Sequence, residues 1–149
     1  MTVVVGVDNS AASRMALRLA WQEARWRQQP LVAVTAYEPP LGTPGGGFPA
    51  ATMRTDSEER ATAETTLRDT LHDELGDQAG QAGLRVSGGL AGRVIIDTAR
   101  QTDAQLIILA ARAGKSVVPG TVSHYVLLKS KCPVTIVPDE SPEAESRPR

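Results

Sequence analysis

The 149-residue sequence has a single cysteine, Cys132, so no internal disulfide can form and a reducing compartment suits the chain. Its two histidines, His72 and His124, fall on different helical patterns with no third ligand nearby. A zinc site takes three or four, so solvated or capping roles are expected of both. Neither sign of charge dominates. The net charge is −1, and the 13 Arg and 3 Lys are scattered, so nothing demands nucleic acid or an anionic membrane as a partner. No apolar run approaches the roughly 20 residues of a membrane span. The opening MTVVVGVDNS lacks the charged start and long apolar core of a signal peptide. No nucleophile–base pair stands out, so no catalytic residue and no metal ligand is assigned. These absences lead to the expectation of a soluble, cytoplasmic single domain over residues 1–138, followed by a disordered tail, DESPEAESRPR, at 139–149.

What is present is a repeating pattern. Five short apolar runs, VVVGV (3–7), LVAVTA (31–36), LRVSGG (84–89), QLIILA (105–110) and PVTIV (133–137), read mostly as strands covered on both faces. Helical patterns lie between them. Residues 11–28 put Ala12, Met15, Ala16, Leu19 and Ala20 on one stripe. Residues 56–76 open with a capping-box-like Thr55-Asp56-Ser57-Glu58 and stop at Gly76. Residues 91–102 carry Val94, Ile95, Thr98 and Ala99, and residues 121–130 carry Val122, Tyr125, Val126 and Leu127. Strands joined by helices run parallel with right-handed crossovers, which gives an α/β fold: a five-stranded, doubly wound, open parallel sheet, with order 3-2-1-4-5 expected. The Pro/Gly-rich stretch 38–52 reads as a mobile loop.

In such a sheet ligands bind outside the carboxyl ends of the strands where the order reverses, here between the first and fourth strands. From the first strand, Asp8 is the carboxylate at this crevice and can accept from an adenine amino group or a ribose hydroxyl. Equally, it can serve only to organise the turn into the first helix, beside Asn9 or Ser10 as N-cap. On the other side lies the Gly120-Thr121-Val122-Ser123 helix start, whose N–H groups and hydroxyls suit an anion or merely cap the helix. Gly114-Lys115-Ser116 is a fragment of a phosphate loop. A Walker A loop, however, needs glycine at position 109, which is Leu109 inside a strand, and no apolar strand ends in an aspartate placed for magnesium. The fragment is a polar turn.

Val7-Asp8-Asn9-Ser10, GGLAGRVIIDTA (88–99) and the ending PGTVSHYVLLKSKCPVTIVP (119–138) together resemble the universal stress protein (UspA-like) family over roughly residues 2 to 138. That resemblance implies a flavodoxin-like, adenine nucleotide alpha hydrolase-like sheet, homodimers commonly formed through the last strand, and in one branch ATP binding. Matched from Gly120-Thr121, the branch's first two glycines fall on Ala110 and Ala113, with Gly114 one place late and the interval to Gly120 shorter than the pattern. By the same matching Asp8 falls where adenine or ribose is contacted, and Ala36 where a small residue backs the base. Each alanine adds a Cβ where backbone should approach phosphate, and Arg112 and Lys115 bring cations that can hold phosphate as point charges.

Three functions follow. One is a stress-response regulatory module with weakened binding of ATP or another adenine nucleotide, moving through 38–52 and 110–120. Another is a competent ATP binder with slow hydrolysis, and the third is a purely structural interaction module. Cys132 is expected to be a buried packing thiol. Trp21 and Trp26, five apart, point in different directions; half-buried packing is expected of them, and the alternative is that an exposed one marks an interface. The acids of the second helix are expected to be solvated. The last strand, Pro133 to Val137, is an apolar edge that pairing with a second copy would cover, and unidentified protein partners are expected.

Overall fold

The computed structural model describes residues 1–40, 54–111 and 121–139, with only the backbone of Thr121. Along these residues strands and helices alternate. They are β1 (Thr2–Gly6), α1 (Ala11–Arg27), β2 (Leu31–Tyr37), α2 (Asp56–Leu75), β3 (Gly83–Gly88), α3 (Ala91–Gln101), β4 (Ala104–Ala110), α4 (Thr121–Lys129) and β5 (Val134–Val137). Every pairing is parallel and the order is β3-β2-β1-β4-β5, the sheet expected from the alternating pattern. The expected loop 38–52 and tail 139–149 fall, apart from residues 38–40 and Asp139, outside the described residues.

Two core layers explain the unbroken apolar runs. Val3, Val5 and Val7 turn to one face, where they meet Ala16, Leu17, Ala20 and Ala24 of α1 and Leu67, Leu71 and Leu75 of α2. Val4 turns to the other face with Val34, Ile107 and Leu109, under Val94, Ile95, Ile96 and Ala99 of α3 and Val126 of α4. Val3, Val4 and Val5 have no exposed surface, so β1 needs apolar side chains on both faces and cannot alternate.

Local chemistry sets the helix ends. Ser10 caps α1 by accepting from the Ser13 amide, and Gln28 closes it in the left-handed region at φ 55. Thr55 and Glu58 form the reciprocal capping box expected for α2, and Gly76, at φ 56, ends it. A 3-10 turn over Gly76–Gln81, absent from the sequence reading, then leads into β3.

The structure corrects several packing expectations. The buried stripe of α1 includes Ser13, Leu17 and Ala24, while Met15 and Leu19 lie at its margin. Leu127, grouped with the inward residues of α4, is 54% exposed, because only a narrow face of that helix reaches the sheet near its short edge strand. Cys132 is half-buried rather than buried: it sits in the turn between α4 and β5, where its amide N–H donates to Ser130 Oγ at 3.1 Å. Not all acids of α2 are merely solvated. Glu74 has an 11% exposed side chain, and its two oxygens accept from Arg14 at 3.3 Å and Arg18 at 2.9 Å, which ties α2 to α1.

Candidate functional site

The order reverses at β1, whose neighbours β2 and β4 leave it in opposite directions along the sheet. In sheets of this kind ligands bind in the crevice outside the carboxyl ends of the strands at such a point, here the ends of β1 and β4. Backbone pairing runs one residue past β1: the Val7 amide donates to Val34 O at 2.9 Å, and Thr35 Oγ1 donates to Val7 O at 2.9 Å. Val7 is thus pinned to β2 immediately below the turn.

That turn is tightly built. Asp8 Oδ1 accepts from the Ser10 hydroxyl at 2.6 Å and from the Ser10 amide at 3.1 Å. Asn9 takes the left-handed region at φ 69, which Asn tolerates better than most residues. Ser13 Oγ donates to Ser10 O at 3.0 Å and accepts from the Asp8 amide at 3.3 Å. Asp8 therefore does organise the turn, as one of its two sequence readings has it. It is also exposed, with its carboxylate held at the crevice. Ser13 and Thr35 were not singled out in the sequence. The spacing of Asp8, Ser10 and Ser13 is a signal that could have found Ser13.

Close packing supports this end of β1. A Cβ on Gly6 would lie 2.9 Å from Leu109 Cδ2 and 3.1 Å from Ile95 Cδ1, so glycine lets β1, β4 and α3 converge directly beneath the turn. Ala36, near the end of β2, is half-buried and packs on the α3/α4 layer, as do Val122 and Tyr125 of α4. Ala110 ends β4 and packs instead on the α1/α2 layer; the next amide, of Ala111, donates to Val137 O at 2.7 Å. Thr121 begins α4, and Ser123 is half-buried in its first turn. That turn contains no acidic residue, so its N–H groups face no built-in anion from their own helix. Arg112, Ala113, Gly114, Lys115 and Gly120 lie outside the described residues.

Beside Ala36, the Tyr37 hydroxyl donates to Asp56 Oδ1 at 3.0 Å. Loss of solvent around the phenol, then the Asp56 carboxylate, push its pKa above the usual 10.0. Among the described residues no group of three His, Cys, Asp or Glu side chains could hold a metal, and no helix is long and apolar enough to cross a membrane.

A five-stranded doubly wound sheet with a capped β1–α1 turn at its switch point defines an α/β protein of the class whose ligands bind outside the carboxyl ends of the strands. A family model described as the universal stress protein family matches residues 1–138, and the chain belongs to that family. It is similar to a solved universal stress protein from Archaeoglobus fulgidus in complex with dAMP, at 27% identity and a TM-score of 0.60, over 92% of this chain and 97% of that one. It is similar also to a universal stress protein in complex with cAMP, at 26% identity and a TM-score of 0.61, over 92% and 95% of the two chains. UspA from Lactobacillus plantarum shares the fold at 23% identity and a TM-score of 0.67, over 91% and 97%. A comparison with curated proteins finds no match.

Proposed function

We propose that the chain is a regulatory module of the stress response that binds an adenine nucleotide through a built adenosine side and an altered phosphate side. The observation that carries the reading is the Asp8 carboxylate, held at the switch point by Ser10, with the small Ala36 at the neighbouring strand end. A carboxylate accepts from ribose hydroxyls or an adenine amino group, and a small residue leaves room for a base. The two relatives in complex with dAMP and cAMP each hold an adenine ring with a single phosphate. The phosphate side consists of Ala110, Arg112, Ala113, Gly114, Lys115, Gly120, Thr121, Val122 and Ser123. Alanine in place of glycine at 110 and 113 keeps backbone away from an extended phosphate chain, whereas Arg112 and Lys115 can neutralise one phosphate. The ligand class is accordingly adenosine or its monophosphate rather than ATP.

The module, residues 1–138, works by binding rather than turnover. It works in the cytoplasm as a pair of copies joined through residues 133–137, with a partner protein reading the occupied state. The half-buried Val134 and Ile136 of the β5 edge and the exposed Leu127 and Leu128 of α4 support that pairing. To test the reading, the purified protein is denatured and any released nucleotide identified, and the apo chain is titrated with AMP and ATP by calorimetry. AMP binding with no gain for ATP is expected. Tighter ATP binding would replace the reading with a competent ATP binder, for which turnover with magnesium is the next assay. No nucleotide and no heat would leave an interaction module without a ligand.

A further inference from the structure

At the far side of the sheet from β5, β3 is an edge strand with β2 as its neighbour among the described residues. An open groove of about 420 Å³ runs along it, lined by Leu84, Arg85, Val86 and Ser87 of the strand and by Arg60 and Glu64 of α2. Leu84 and Val86 turn to the α1/α2 core layer, so Arg85 turns to the opposite face, where its guanidinium donates to Gln101 Oε1 of α3. The edge thus has one arginine on each side of it, Arg60 from α2 above one face and Arg85 above the other. Glu64, the single carboxylate of the groove, accepts from Arg68 at 2.9 Å. Two guanidiniums against one paired carboxylate leave the groove positive.

We propose that the β3 edge is a docking strand for an extended acidic segment of another protein. Alternate residues of an edge strand point their N–H and C=O groups outward, and an incoming strand can pair with them. Successive side chains of that strand turn to opposite faces. Two consecutive carboxylates on it therefore reach Arg60 on one face and Arg85 on the other, and this sets the chemistry of the partner: a strand-forming segment with an acidic pair at its centre. A second copy of this chain fits badly, because antiparallel pairing of β3 with itself brings the two Arg85 residues close together across the axis. The groove lies one strand out from Ala36, whose register partner on β3 is Ser87, and docking there does not require a ligand above β1.

The test uses the full chain and a fluorescein-labelled peptide, TVDEVTV, with TVNQVTV as its neutral counterpart. Fluorescence anisotropy should show saturable binding of the acidic peptide and none of the neutral one. Each of Arg60→Gln and Arg85→Gln should weaken binding about tenfold, as loss of one charge-assisted hydrogen bond does, while Arg93→Gln on the exposed face of α3 changes nothing. Amide resonances of Leu84 to Ser87 should shift on titration. Circular dichroism establishes that each variant is folded. Equal binding of both peptides, shifts confined to other elements, or no saturable binding by the folded protein would overturn the proposal. So would a change in self-association of the arginine variants on sedimentation, which would make a second copy the occupant.

Discussion

Gly92→Ala is the substitution whose sign the packing decides. Gly92 lies in the first turn of α3, where alanine should raise helix propensity by up to about 1 kcal/mol. But an added Cβ would lie 2.8 Å from Tyr125 Cδ1, 3.2 Å from its Cγ and 3.3 Å from its Cβ. Those atoms are the root of the ring rather than a flexible end, so Tyr125 cannot swing aside unless α4 moves. Overpacking costs about 1 to 3 kcal/mol, and a 2.8 Å contact at the root of a ring falls in the upper part of that range, about 2 to 3 kcal/mol, which outweighs the propensity gain and leaves a net loss of about 1 to 2 kcal/mol. For a chain of this length the melting temperature should fall by about 3 to 6 °C, read by circular dichroism or calorimetry. In the background of Tyr125→Ala, which removes the obstructing ring, the same Gly92→Ala change should become neutral or stabilising. That difference is the coupling a double-mutant cycle reports. A Gly92→Ala protein melting at or above the parent temperature would refute the reasoning, since propensity alone would then govern the site. Because α4 also carries Thr121, Val122 and Ser123, its displacement should weaken AMP binding in the same variant.

Further outcomes follow from the contacts described. Thr55→Ala removes the capping box of α2 and should cost about 1 kcal/mol in urea unfolding. Hydrogen bonds from Thr55, first from its backbone and then from its side chain, hold Glu58 below its ordinary value of 4.5. Its contribution is therefore full above that value and drains away as pH falls through the lower folded value. Glu58→Gln should flatten the acid side of the stability–pH curve, and a parallel curve would count against it. Asp8→Asn keeps an acceptor for Ser10 and should leave the melting temperature nearly unchanged while AMP binding weakens about tenfold by calorimetry; unchanged affinity would remove Asp8 from the site. Glu74→Ala removes the partner of Arg18 and one of the two partners of Arg14, which keeps Asp73 at 3.4 Å; both arginines can reach water, so the cost should be only about 0.5 to 1 kcal/mol and should shrink in 1 M salt.

The sheet was legible because burial on both faces leaves no choice of residue type. Val3, Val4 and Val5, or Leu106 through Leu109, read as strands of a covered sheet from the sequence alone. Thr55 and Glu58 announced the start of α2 through a reciprocal hydrogen bond that depends only on their spacing. The face of α1 was harder. Ser13 and Ala24 weigh little in an apolar pattern, although both are buried, so the stripe was drawn through the marginal Met15 and Leu19 and missed Leu17. Leu127 and Cys132 misled for the opposite reason: their chemistry suits a core, but α4 and β5 lie where the sheet runs out of cover. At the crevice, Asp8 could be located from strand order, whereas its hydrogen bonds to Ser10 depend on a left-handed Asn9 that no periodicity reveals. Ala36 and Val122 share a core layer while Ala110 joins the other, a distinction set by strand phase rather than by residue type.

The position of β1 has a consequence for biosynthesis. The strand at the middle of the sheet is the first to be made. One of its neighbours, β2, follows within thirty residues, as Val3 pairs with Leu31, but the other pairs Thr2 with Ala104. At a ribosomal pace of roughly 5 to 20 residues per second, the unpaired side of β1 waits about 5 to 20 s for its partner. Until then an early β1–α1–β2 unit presents Val4 and Val34 without the cover that α3 later supplies. The open side of β1 is therefore closed by β4, before the last helix and strand of the sheet are made.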